Sequence, residues 1–264
     1  MNSAMVVGAG PVGCLTALSL AQLGWQVTLI EKLSCPDGEL PVSYDDRQLA
    51  LSHANVIWLV DHLLPSLMAY LTPILHIHTS AQDGFGVMEM SAKEQGVSAL
   101  GSTIAMDQLG HLLFQAVRQS EQITLEDEVN LYALSQEEQR VLLQVVQREQ
   151  AQTWQADYLF AADGLNSWVR SVLRIEQTHH HYEHGLMTAI ATLQKPHEFL
   201  AIERFTAQGP TALLPMTGTH LAKVVFSYPL TEMSVVQSAS SAWLTEKINH
   251  NLGKKLGNVV GIHG

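Results

Sequence analysis

The sequence predicts an α/β fold: a Rossmann-like domain at the N-terminus with a second, mostly antiparallel β-sheet domain behind it. Three observations carry this. Met1 to Glu31 reads as strand, glycine loop, helix, strand and acid. Tyr158 to Arg170 reads as a buried strand, an Asp-Gly turn and a capped helix. From Gly185, short apolar stretches of strand type follow one another closely until Ser240. A strand–helix–strand unit favours a parallel sheet, and closely spaced strands favour an antiparallel one.

The chain is organised around its opening. Ala4-Met5-Val6-Val7 is a short apolar strand that runs into Gly8-Ala9-Gly10-Pro11-Val12-Gly13, a G-x-G-x-x-G loop. A helix follows to about Leu23, Gly24 punctuates it, and Gln26 to Ile30 is a second strand ending at Glu31. This is the dinucleotide-binding order with its context intact. Gly8 allows a tight turn, Gly10 removes a side chain so that backbone can approach a pyrophosphate, and Gly13 permits close helix packing. A left-handed backbone is expected at Gly10, so that a branched residue there is strained as well as obstructive. The helix N-terminus offers N–H groups and positive dipole to phosphates. Glu31, eighteen residues beyond Gly13, stands where an acid accepts hydrogen bonds from a ribose. The alternative is a glycine-rich turn in an ordinary parallel unit.

The 264 residues suffice for one large domain or two modest ones, and 47% of them are apolar. Fourteen Lys and Arg against 25 Asp and Glu give a net charge of −11, which argues against nucleic acid and against electrostatic docking on anionic lipid. Cys14 and Cys35 form no C-x-x-C pair or metal-type spacing, which suits a reducing compartment. The apolar N-terminus lacks a cationic region, since Lys32 is the first basic residue, and no stretch reads as a membrane span. A cytoplasmic protein is expected.

Beyond Glu31, turn formers fill Ser34 to Tyr44. Asp45 to Ser52 leads into a helix whose apolar stripe is Leu49, Val56, Leu59, Val60 and Leu63, ended by Pro65. Ile74–Thr79 and Phe85–Met90 alternate about Asp83-Gly84 and read as a hairpin. His76 and His78 on its first strand are read as polar strand residues, no third metal ligand standing nearby. Asp107 to Arg118 is a helix, Ile123–Leu125 a short strand, and Glu128 to Trp154 a three-stranded meander. His179, His180, His181 and His184 form a polar cluster without the acid or Cys pattern of a metal site, and no metal is expected. Strands at 186–192, 199–205, 211–214 and 221–228 and a helix at 240–252 complete the chain. The expected domains are 1–73 with 97–184 for the cofactor, and 74–96 with 185–264 for the sheet.

In the second motif, Ala161 to Arg170, Asn166 or Ser167 caps the helix, and Asp163 falls beyond a strand's C-terminal end, where open α/β sheets bind ligands. Alone, such a turn reads as structural. Together, the glycine loop, Asp45-Asp46-Arg47, and Asp163-Gly164 followed by Ser167 and Arg170 resemble the FAD-dependent aromatic hydroxylases with the p-hydroxybenzoate hydroxylase fold. Gln48-Leu49-Ala50-Leu51-Ser52 after Arg47 resembles the ubiquinone-biosynthesis branch. Glu203-Arg204-Phe205-Thr206, Gly209-Pro210 and Leu213-Leu214-Pro215-Met216 sharpen the likeness to its 2-octaprenyl-6-methoxyphenol hydroxylases. The resemblance spans essentially the whole chain.

The resemblance implies that Gly8, Gly10, Pro11 and Gly13 hold the FAD pyrophosphate and Glu31 the adenosine ribose. Arg47 matches the arginine that reaches the cofactor. Asp163 and Gly164 match the motif associated with FAD and NAD(P)H, and Arg170 braces that turn. The strands from Gly185 form the wall over the flavin ring. The implied reaction is hydroxylation of a polyprenylated phenol with O₂, with NAD(P)H as co-substrate, through a flavin hydroperoxide; no catalytic residue is identified. Peripheral contact with the inner face of a membrane, or association with other ubiquinone-biosynthesis proteins, is the expectation for partners. Two features depart from the family. Asp46 stands where members often carry Gly, and members continue to a Gly-Asp motif of which this sequence has no copy. A chain ending at Gly264 is therefore expected to be inactive as a hydroxylase. The competing readings are a non-catalytic nucleotide-binding remnant and an NAD-dependent dehydrogenase, which accounts for Met1 to Glu31 alone.

Overall fold

A computed structural model of the chain describes every residue except Met1, Asp37, Gly38, Val42, Ser43, Lys254, Leu256 and Gly264. Parts of the expected loop at 34–44 thus lie outside the described residues. In chain order the elements are β1 (Ser3–Val7), α1 (Pro11–Gln22), β2 (Gln26–Ile30), β3 (Gln48–Ser52), α2 (His53–His62), β4 (Thr72–Ile74), β5 (His76–Ala81), β6 (Val87–Ser91), α3 (Ala92–Gln95), β7 (Gly101–Ala105), α4 (Met106–Gln119) and β8 (Ile123–Glu126). There follow β9 (Val129–Glu137), β10 (Arg140–Gln147), β11 (Gln150–Ala156), β12 (Tyr158–Ala161), α5 (Trp168–Val172), β13 (His184–Leu193), β14 (Leu200–Thr206), β15 (Gly209–Pro215), β16 (Leu221–Pro229), α6 (Met233–Gln237), α7 (Ser241–Leu252) and β17 (Val259–His263). Among the described residues no helix is long and apolar enough to cross a membrane.

The chain divides into two compact units. The first comprises Met1–Asp46, Leu59–Leu67 and Met106–Thr178; the second comprises Arg47–Trp58, Met68–Ala105 and His179–Gly264. The division differs from the expected boundaries because Arg47–Trp58 and residues 68–73, 97–105 and 179–184 belong with the second unit. Backbone pairing accounts for this: β3 runs antiparallel to β7, and β7 to β4.

In the first unit a parallel sheet has the order β12-β1-β2-β8. Such strands need crossovers, and α1 supplies the first, between β1 and β2. A three-stranded antiparallel meander, β11-β10-β9, packs on the sheet through Met5, Val7, Ile30, Val129, Leu143, Val145, Ala156 and Val169, all buried. Alternation along β1 turns Ala4 and Val6 the other way, and helices α1 and α4 pack together within the unit. Ser3 ties the sheet's edge: its N–H and hydroxyl both donate to Asp157, at 2.7 and 2.8 Å. Those bonds hold the Asp157 carboxyl below its ordinary range.

In the second unit a seven-stranded sheet has the order β17-β13-β16-β15-β14-β5-β6. The expected hairpin is its β5–β6 end, which joins β14 in parallel. One face buries Ala191, Leu213, Val224 and Phe226 with Ile248 and Leu252 of α7. Alternation places Leu186, Ile190, Leu214 and Lys223 on the opposite face.

Two local expectations are corrected. Leu49 lies in β3 rather than in a helical stripe, and α2 begins only at His53. Leu-Ala-Leu is helix-favouring sequence, yet the ladder to β7 outweighs the preference, as tertiary context does. Strands β7 and β17 were not foreseen. At β7, a side chain on Gly101 would stand 2.5 Å from the Leu51 carbonyl oxygen, so a glycine in a strand here marks close backbone approach rather than a turn.

Candidate dinucleotide site

The parallel sheet has its topological switch point between β1 and β12. From β1 the order proceeds through β2 to β8, whereas β12 lies on the other side of β1. Ligands of open α/β sheets bind beyond the C-terminal strand ends at such a point. Val7 and Ala161 are paired at those ends, so the loops that begin at Gly8 and Ala162 leave the sheet side by side. The Ala162 N–H donates to the Val7 carbonyl at 2.8 Å, which carries the pairing one step beyond the strand.

The glycines divide the work. Gly8 has φ +98° and donates its N–H to the Ile30 carbonyl at 2.7 Å. A Cβ there would lie 2.5 Å from the Ala162 carbonyl oxygen and 3.0 Å from the Asp163 Cα. The two motifs recognised in the sequence are therefore in contact. A Cβ on Gly13 would lie 1.8 Å from the Gly8 carbonyl oxygen, so this glycine lets the first turn of α1 close onto the loop. Gly10 differs from both: a Cβ would meet nothing within 4 Å. Its backbone, at φ −68° and ψ 177°, is extended. The expected left-handed conformation at Gly10 is thus replaced by one that any residue adopts, and what glycine provides is open space.

Gly10 caps α1 without a side-chain hydrogen bond, and no acid occupies the first turn. Pro11 opens the helix at N1, where its missing N–H costs nothing. The positive end of the α1 dipole thus faces the Gly10 opening with no acid in the helix's own first turn.

Glu31 sits at the end of β2 and is half-buried. Its Oε2 accepts from the Ala9 N–H at 2.9 Å, and its Oε1 accepts from the N–H groups of Lys32 and Leu33 at 2.9 and 3.0 Å. The expected ribose ligand therefore also braces the glycine loop. A carboxylate has about four acceptor sites, and three are used here, so one remains for a hydroxyl donor.

Asp163 turns its carboxylate inward. Oδ1 accepts from the Ser167 hydroxyl at 2.6 Å and Oδ2 from the Val169 N–H at 3.2 Å. Ser167 caps α5 in turn, accepting from the Arg170 N–H at 3.0 Å. The Arg170 guanidinium donates to the Leu165 carbonyl, the bracing role expected of it. Gly164 is exposed with φ +79°. At the switch point it is thus the 162–163 backbone that stands beside Gly8, while the Asp163 side chain holds the turn.

Arg47 belongs to the second unit, immediately before β3, and is exposed. Asp45 and Asp46 beside it are exposed as well. The remaining residues, Gly8, Gly10, Pro11, Gly13, Glu31, Asp163 and Gly164, are gathered in the first unit.

One residue at the site escaped the sequence reading. Tyr44 is buried at 7% exposure, and its hydroxyl donates to the Ala9 carbonyl at 3.0 Å. Its ring packs edge-to-face on Phe114 at 5.7 Å. The available signal was Gly110, a glycine inside the otherwise regular helix α4.

A family model described as FAD binding domain matches residues 1–39 and 68–258. The chain is 26% identical to the 3-demethoxyubiquinol 3-hydroxylase of Escherichia coli K12 over 258 residues, covering 96% of this chain and 64% of that protein. It is also 26% identical to the ubiquinone hydroxylase UbiM of Neisseria meningitidis over 264 residues, covering 97% of this chain and 56% of that protein. The chain thus spans less than two thirds of the length of either relative. Among solved structures it resembles the p-nitrophenol 4-monooxygenase PnpA of Pseudomonas putida at a TM-score of 0.73 and 17% identity, covering 98% of this chain and 65% of that one. It resembles the flavin-dependent halogenase CmlS at a TM-score of 0.73 and 18% identity, covering 100% of this chain and 48% of that one. At these identities the structural likeness is one of fold. The family model covers most of the sequence, and the chain belongs to the FAD binding domain family.

Proposed function

We propose that the protein contributes the FAD site and a substrate wall to an NAD(P)H-dependent hydroxylation of a polyprenylated phenol in ubiquinone biosynthesis. The observation that carries this is the contact of Gly8 with the Asp163 backbone at the β1/β12 switch point, in a chain similar along its length to two ubiquinone-related hydroxylases. A dehydrogenase reading accounts for the glycine loop but gives the 163–170 turn no role.

The residues fit FAD. The opening at Gly10 has room for a pyrophosphate against the uncapped end of α1. Glu31 keeps one acceptor site for the adenosine ribose. FAD, when bound, supplies the redox and oxygen chemistry. This chain binds and orients: Gly8 and Gly13 set the loop, and Ser167 and Arg170 fix the turn that carries Asp163 and Gly164. The sheet face bearing Leu186, Ile190 and Leu214, with buried Lys223 between the last two, is the wall proposed for the prenylated ring. Cytoplasmic residence belongs to this reading on the cysteine pattern, and the net charge of −11 favours apolar over electrostatic contact at the inner membrane face.

The test has two parts. Purified protein is denatured and its released cofactor identified, with FAD expected; a nicotinamide without flavin overturns the reading. Labelled oxygen from ¹⁸O₂ is then sought in a prenylated phenol with NADH or NADPH supplied, together with the oxidation of either nucleotide.

A further inference from the structure

Ala9 lies between two glycines, so its flanking torsions are the least constrained in the loop. Yet Ala9 is fully buried, and its peptide groups are held on both sides. The N–H donates to Glu31 Oε2 at 2.9 Å; the carbonyl accepts from the Tyr44 hydroxyl at 3.0 Å and from the Cys14 thiol at 3.3 Å. We propose that Tyr44 is a positioning residue for the dinucleotide, its hydroxyl fixing the Ala9 carbonyl so that the loop keeps the Gly10 opening clear for a pyrophosphate. This rests on the reading of that opening as the FAD phosphate site.

Tyr44 is more than a core aromatic that finds a partner for its hydroxyl. Its ring occupies a slot made for it in α4. A Cβ on Gly110 would lie 2.4 Å from Tyr44 Cδ1, so α4 carries a glycine in its interior where alanine would favour the helix by about 1 kcal/mol. Phe114, one turn on, supplies the ring's edge-to-face partner. The ring is thereby clamped by α4 while the hydroxyl reaches the loop. Burial also keeps both donors protonated: the Cys14 thiol is pushed up to about 12, and the Tyr44 hydroxyl is raised above its ordinary value. The clamp therefore does not titrate near neutral pH. Glu31, which faces the same peptide from β2, is the charged group that completes it.

Tyr44→Phe keeps the ring and removes only the hydroxyl. The variant is compared with the parent by titration with FAD and with ADP, by hydrogen exchange of the ligand-free loop amides, and by urea unfolding. The expected result is a loss of about fivefold to tenfold in affinity for FAD and ADP alike, the equivalent of one hydrogen bond. Faster exchange confined to residues 9–14, with a little-changed urea midpoint, accompanies it. Equal FAD affinity and equal loop exchange in the two proteins overturn the proposal. So does faster exchange spread evenly over the first unit, which marks a merely structural tyrosine. A parent protein that binds neither FAD nor ADP overturns the phosphate-site reading itself. Gly110→Ala, which displaces the ring rather than the hydroxyl, is expected to loosen the same amides.

Discussion

Gly10 and Gly13 are chemically identical and stand three residues apart, yet the structure gives them opposite duties. A methyl group at Gly13 would overlap the Gly8 carbonyl oxygen at 1.8 Å, against backbone that cannot swing aside. A side chain at Gly10 meets no protein atom within 4 Å and needs no unusual torsion. Gly10→Val is therefore expected to leave circular dichroism and urea stability nearly unchanged while abolishing FAD binding, because the branched side chain fills the pyrophosphate's space. Gly13→Ala is expected to lower stability by about 1–3 kcal/mol, as overpacking does, whether or not FAD is present. Paired urea melts and FAD titrations check both; a Gly10→Val protein that binds FAD normally would place the phosphates elsewhere. The motif's spelling shows where three glycines stand but not which one faces ligand. That distinction depends on what each Cβ would meet.

At the scale of elements, the sequence was most legible where a single pattern served a single partner. β1, α1 and β2 follow from apolar runs split by glycine, and β13 to β16 from closely spaced apolar stretches of strand type. It was least legible where a partner distant in the chain decides. β3 is helix-favouring sequence drawn into a ladder with β7, fifty residues away, and neither strand has a period of its own. The Asp163 turn shows the same limit within the site. Its composition marked a cap and a ligand position, and in the structure the Asp163 side chain is occupied by Ser167 and the Val169 N–H. Ser167 joins the two, capping α5 while donating to Asp163. Ser167→Ala is expected to cost about 1 kcal/mol in unfolding free energy, as loss of an N-cap does. It should also leave the half-buried Asp163 Oδ1 without that donor, so Ser167→Thr is expected to restore most of the stability. A Ser167→Ala protein as stable as the parent would mean that Asp163 alone suffices as cap.

For the molecule as a whole, with a net charge of −11, stability at high pH becomes a question of which groups titrate. Both cysteines lie in the first unit and are buried as free thiols. Burial, first of all, pushes each up to about 12 from a usual value near 9; for Cys14 the Tyr44 hydroxyl opposes the rise and the charge of Glu31 adds to it, while for Cys35 the charges of Glu31 and Asp127 add to it. A group whose pKa is higher in the folded state holds its proton there after the unfolded chain has released its own. Between the two values the folded state therefore binds more protons, and stability falls as pH rises. The contribution is complete below about pH 9 and is lost progressively towards pH 12. Each thiol accounts for at most about 1.4 kcal/mol per pH unit within that window. The growing negative charge of the whole chain acts in the same direction, so a fall in stability alone does not identify the thiols. The measurement is urea unfolding at pH 7.5 and pH 10, at constant salt, for the parent and for Cys14→Ser with Cys35→Ser. Serine hydroxyls do not ionise in this range, so the double variant is expected to lose less stability between the two pH values than the parent does. Equal losses would show that self-repulsion, and not the buried thiols, sets the alkaline limit.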